Sequence, residues 1–145
     1  MRMSDRVRDG KGAAASPWVL VVDDDDELRD SLAEALVERG LAVQKAHHGR
    51  DALEVIQRNL AEGRRPPAAI VLDLQMPVLD GWGFAKAMDA DPDLRGIPLV
   101  IATAFGHLTK AQAVRFGSLP PPPVVAKPYD LDTLIARLRD VCGDL

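Results

Sequence analysis

The chain is poor in the residues that would place it outside a reducing compartment or inside a membrane. It has one cysteine, Cys142, so no internal disulfide can form, and a reducing cytosol suits it. No apolar run approaches the roughly 20 residues of a membrane-spanning helix, and the N-terminus lacks the apolar stretch of a secretory signal. Positive charge is also short, with a net charge of −4. That argues against a general electrostatic grip on nucleic acid. Aromatic residues make up only 4% of the chain, so aliphatic side chains must fill the core. A soluble, cytoplasmic protein is predicted. Its 145 residues suit one domain.

Residues 1–16 are polar, carry both charge signs and show no periodicity, which predicts a flexible tail. Residues 17–145 form the predicted domain. Trp18-Val19-Leu20-Val21-Val22 is a continuous apolar run ending at acids, as a strand buried on both faces reads. Leu28, Leu32, Ala35 and Leu36 recur at helical spacing, and Gly40 closes that helix. A strand from Leu41 to Ala46 and a helix with Ala52, Leu53, Ile56 and Leu60 follow. Pro66-Pro67 precedes a second buried strand, Ala68 to Leu74. The spacing then predicts a helix over 81–90, a strand from Ile97 to Thr103, a helix over 108–116, a short strand at Val124-Val125-Ala126, and a last helix N-capped by Asp130.

Five β-α units with short connections imply a parallel sheet covered on both faces by helices. Ligands of such sheets bind beyond the carboxyl ends of the strands. The residues there are Asp23-Asp24, Asp73, Thr103 and Lys127. Clustered carboxylates need a cation, and an all-oxygen donor set suits Mg²⁺. A carboxylate can also attack phosphorus to give an aspartyl phosphate. An ammonium and a hydroxyl can then stabilise the transferred group. Together these residues are coherent as a phosphoryl-acceptor site.

Four segments carry a family resemblance: Val21-Val22-Asp23-Asp24-Asp25, the run from Val71 to Gly81, Ile101-Ala102-Thr103-Ala104, and Ala126-Lys127-Pro128-Tyr129. They resemble the motif blocks of response-regulator receiver domains of two-component signalling, over about residues 17–143. The resemblance implies a three-layer, doubly wound, flavodoxin-like α/β fold with a five-stranded parallel sheet of order 2-1-3-4-5. It implies Asp73 as phosphoacceptor, with Asp23, Asp24, Asp73 and the backbone carbonyl of Gln75 around Mg²⁺. By the same resemblance Thr103 is the switch hydroxyl, Lys127 pairs with the phosphate, and the Lys127–Pro128 peptide is cis. The implied partners are a histidine kinase or phosphotransfer protein and a downstream protein target. The implied catalysis is confined to the domain's own phosphorylation and dephosphorylation. No helix-turn-helix follows the last helix, so nucleic acid is not an expected partner, and without a long apolar run neither is a membrane.

Two other readings stand beside this one. Asp23-Asp24-Asp25 after a first strand also fits the Asp-x-Asp of haloacid-dehalogenase-type phosphatases, with Asp23 as nucleophile and Asp25 as acid. A pseudo-receiver that binds partners without being phosphorylated is the other. His47-His48 and Asp80-Gly81 are better read as structural, and Gly10-Lys11-Gly12 lacks the strand and glycine pattern of a phosphate loop. Within the resemblance one position departs. Receiver domains commonly carry Tyr or Phe three residues before the lysine, where this chain has Val124. Pro120-Pro121-Pro122-Pro123 just before it lengthens the loop and predicts either a tolerated insertion or a stiff docking face.

Overall fold

The computed structural model describes residues 17–74, 81–103, 122–127 and 130–143. Its strands are β1 (Trp18–Val22), β2 (Ala42–Ala46), β3 (Ala69–Asp73), β4 (Leu99–Thr103) and β5 (Val124–Ala126). Its helices are α1 (Asp26–Glu38), α2 (Gly49–Ala61), α3 (Gly81–Asp89) and α4 (Leu131–Cys142). The strands form one parallel sheet, as the β-α alternation predicts, in the order β2-β1-β3-β4-β5 that the family resemblance implies. The helix predicted over 108–116 lies outside the described residues, as do the 1–16 tail, Gln75, Asp80, Pro120-Pro121 and Pro128.

β1 and β3 are buried along their whole length, which explains their unbroken apolar text. Side chains alternate across the sheet. Leu20, Val22, Ile70, Leu72 and Ile101 face α2 and α3, where Ile56, Phe84 and Met88 close the packing. Val19, Val21, Val71, Val100 and Val125 face Leu32 and Leu36 of α1 and Leu134, Ile135 and Leu138 of α4. The result is a three-layer α/β/α domain with a largely aliphatic core on each face, joined under α2 and α3 by Trp18 and Phe84.

The helix ends are set by local chemistry. Asp25 caps α1 by accepting from the Leu28 amide at 3.1 Å, and Asp130 caps α4 by accepting from Thr133 at 3.1 Å. After α1 the chain passes through Gly40 at φ 90°, a left-handed conformation that glycine adopts without a side-chain clash. There the Gly40 amide donates to the Val37 carbonyl, and the Leu41 amide donates to the Leu36 carbonyl at 3.1 Å. Leu41 is therefore spent on closing the helix, and β2 starts one residue later than the sequence pattern predicts. β4 likewise starts at Leu99 rather than Ile97. The Ile97 amide turns back to Leu94, and Pro98 has no amide to donate, although its carbonyl accepts from Ile70. At the far edge, the Pro123 carbonyl accepts from the Ile101 amide at 2.9 Å. Val124 is half-buried and packs against the Ile101 side of the core.

Leu36 is fully buried between α1 and the sheet, whereas its neighbour Val37 is 54% exposed. Leu36→Ala is expected to lower unfolding free energy by about 2–5 kcal/mol. Val37→Ala is expected to change it by about 0.5 kcal/mol or less. Urea denaturation of the two variants against the wild type checks both.

Candidate functional site

The site follows from strand register. Val22 of β1 pairs with Ala46 of β2 and Leu72 of β3. Asp73 pairs with Ala102 of β4, and Thr103 pairs with Ala126 of β5. All strands run the same way, so Asp23, Asp73, Thr103 and Lys127 leave the sheet at one end. Carboxylate oxygens of Asp23, Asp24 and Asp73 lie within 4.8 Å of one another. Residues 50 positions apart in sequence are brought together by pairing alone.

Asp23 is the most constrained member, only 2% exposed. Its amide extends the sheet by donating to the Ala46 carbonyl at 3.2 Å. Its Oδ1 accepts from the Asp25 amide at 2.9 Å, and its Oδ2 accepts from Lys127 Nζ at 2.9 Å. Its carbonyl accepts from Arg29 Nη1 at 3.4 Å. Asp73 is also buried, 7% exposed, with Oδ1 3.4 Å from Lys127 Nζ. Asp24 differs, since it is exposed.

Lys127 is held in place by its own amide, which donates to the Thr103 carbonyl at 2.9 Å. Burial by itself would lower the pKa of its ammonium. The hydrogen bond it donates to Asp23 and the charges of Asp73 and Asp23 outweigh that, and the pKa is raised above the ordinary lysine value. Thr103 ends β4, half-buried and one strand over from Asp73.

The donor set fits a hard divalent cation. Three carboxylates against one ammonium leave a formal charge of −2, every donor is oxygen, and the exposed Asp24 keeps one side open to water. Mg²⁺ favours such a site because it retains much of its hydration.

The structure gives specific local roles to several side chains outside the cluster. Asp25 spends its carboxylate on capping α1, so it is not poised as the acid of an Asp-x-Asp phosphatase. His48 caps α2 by accepting from the Asp51 amide through Nδ1 at 3.0 Å, and His47 pairs with the Asp51 carboxylate at 2.9 Å. Both histidines are therefore structural. Arg29 has no role in the sequence reading, yet it reaches the Asp23 carbonyl. The signal was present as a cation in the first turn of α1, the end where the helix dipole disfavours positive charge.

A family model described as the response regulator receiver domain matches residues 19–139. Response regulator MprA of Mycobacterium ulcerans is 36% identical over 121 residues, which is 83% of this chain and 48% of that protein. The chain thus spans about half the length of the curated relatives it matches. Among solved structures, chemotaxis protein CheY4 of Vibrio cholerae superposes with a TM-score of 0.74 at 26% identity, over 88% of this chain and 99% of that one. The signal receiver domain of a histidine kinase from Syntrophus aciditrophicus gives 0.69 at 25% identity, over 88% and 91%.

Because the Lys127 pKa is raised on folding, its contribution to stability is full below the ordinary value of 10.5 and is lost as pH rises through the folded value. Lys127→Met is expected to lower the urea midpoint at neutral pH, since it leaves two buried carboxylates without a cation. The gap between wild type and variant is expected to narrow above about pH 10.5. Paired urea titrations from pH 7 to pH 11 measure that gap.

Proposed function

Since the chain belongs to the response regulator receiver domain family, we propose that Asp73 accepts a phosphoryl group from a histidine kinase or phosphotransfer protein. The observation that carries this reading is the Lys127 ammonium, 2.9 Å from Asp23 and 3.4 Å from Asp73. It sets positive charge beside the carboxylate that would attack, in a buried setting where charge acts strongly. In the transfer, an Asp73 oxygen forms a bond to phosphorus as the donor's phosphorus–nitrogen bond breaks, and the nitrogen takes up a proton. Lys127 neutralises the charge gathering on the equatorial oxygens, and the Thr103 hydroxyl donates to one of them. Burial of Asp73 limits water at the acyl phosphate.

Asp23, Asp24 and Asp73 would hold Mg²⁺, with the Gln75 carbonyl as a further ligand. The bound ion would supply the remaining positive charge for the phosphoryl oxygens. On this reading the protein catalyses only its own phosphorylation and dephosphorylation, and its output is a change in protein–protein binding. We further propose that it works as a single-domain regulator in the cytoplasm. CheY4, a match over nearly its whole length, is the model for that arrangement, whereas MprA is about twice as long as the matched stretch.

Acetyl phosphate with Mg²⁺ is expected to add one phosphoryl group to the wild type, read by intact-protein mass, and none to Asp73→Asn. Labelling of that variant at the wild-type level would overturn the assignment. Asp24→Ala is expected to weaken Mg²⁺ binding by roughly ten- to a hundredfold, the scale on which lost metal-site groups act. Without metal, the same variant is expected to melt at a higher temperature, because one of three mutually repelling carboxylates is gone. Magnesium titration and thermal melts in chelator check the pair of effects.

A further inference from the structure

Arg29 is placed against expectation. It lies in the first turn of α1, where the helix dipole favours acids, and Asp26 and Glu27 supply them. Its side chain is only 13% exposed, while the carboxylates it pairs with, Asp26 and Asp30, are 81% and 51% exposed. A surface ion pair would leave all three in water. Here the guanidinium is drawn inward, toward the loop that joins β1 to α1.

What it reaches there is backbone. Arg29 Nη1 donates to the Asp23 carbonyl at 3.4 Å and to Asp26 Oδ1 at 2.8 Å, while Nε donates to Asp30 Oδ1 at 3.2 Å. Asp30 is held from the other side by Lys45 Nζ at 3.1 Å, on the edge strand β2. The guanidinium is thus fixed from two directions before it meets the loop. The Asp23 carbonyl belongs to the peptide between Asp23 and Asp24. Fixing that oxygen fixes ψ of Asp23 and φ of Asp24, and so the direction in which the Asp24 side chain leaves the backbone. Asp23 needs little help, since both of its carboxylate oxygens are already engaged. Asp24 is the exposed member of the acidic cluster and depends on its backbone for its place.

We propose that Arg29 is a positioning residue for the metal site: it locks the Asp23–Asp24 peptide so that the Asp24 carboxylate is presented to a divalent cation. This rests on the reading of the acidic cluster as a magnesium site. Charge alone has the opposite effect, because a cation beside three carboxylates repels a second one. Removing it by charge logic tightens magnesium binding, whereas losing the lock weakens it. The sign of the change therefore separates the two.

The test is calorimetric titration of MgCl₂ into the full chain, well below its melting temperature, for wild type, R29M, R29K and R39M. Arg39 pairs with Asp132 on the surface, away from the acidic cluster, and controls for loss of an arginine ion pair. R29M is expected to bind Mg²⁺ at least about threefold more weakly, with R39M unchanged. R29K keeps the charge but not the fork, and is expected to fall between wild type and R29M. Unchanged or tighter binding in R29M overturns the proposal, as does equal weakening in R39M. R29K indistinguishable from wild type also overturns it, and that comparison decides the matter if R29M does not fold. Absence of magnesium binding in the wild type would instead bring down the metal reading itself.

Discussion

Two carboxylates buried at the end of a sheet are tenable only with a cation between them, and Lys127 is that cation. Taking charge out of water is costly, and attraction offsets the cost only when the geometry is close. Asp23 and Asp73 stand on neighbouring strands, and Lys127 meets both within 3.4 Å. The rest of the structure serves that arrangement. β1 and β3 must be parallel and in register to set the two acids side by side, and β5 must be in the same sheet to deliver the lysine. Parallel strands buried on both faces require helices on both sides, and the largely aliphatic cores beneath α1 and α4 and beneath α2 and α3 hold them there.

How much of this the amino-acid text discloses depends on the range of the interaction. β1 and β3 are legible because full burial demands an unbroken apolar run. Asp25, Asp130 and Gly40 act on their own helix ends, so Asp130 and Gly40 can be read as punctuation. Strand starts are less legible. Leu41 and Ile97 are apolar and β-compatible, but their amides are used by the preceding turn, and composition does not reveal where an amide points. Asp23, Asp73 and Lys127 become a site only through topology, since the Asp23–Lys127 contact spans 104 positions. The β-α alternation, the four motif segments and the rule that ligands gather at strand ends together carried that inference. His48 and Arg29 escaped because both act through atoms with no residue signature. One accepts from a backbone amide with a ring nitrogen, and the other donates to a backbone carbonyl.

The site is also unequal in exposure, and the inequality orders its chemistry. Asp23 is closed on every side: amide, carbonyl and both carboxylate oxygens have partners. It is a fixed point. Asp73 is buried at the end of β3, with Oδ1 3.4 Å from Lys127 Nζ. Asp24 faces water, so a hydrated cation meets the cluster first on that side. Lys127 carries the link between these conditions. Its ammonium lies against both buried carboxylates, so negative charge added at Asp73 would compete for it with Asp23. On the proposed reading, a phosphoryl group on Asp73 would add charge beside a lysine already paired with two carboxylates, and the balance at Asp23 would change with it. Lys127 is also tied through its amide to the Thr103 carbonyl, so the same residue joins the acidic cluster to the end of β4.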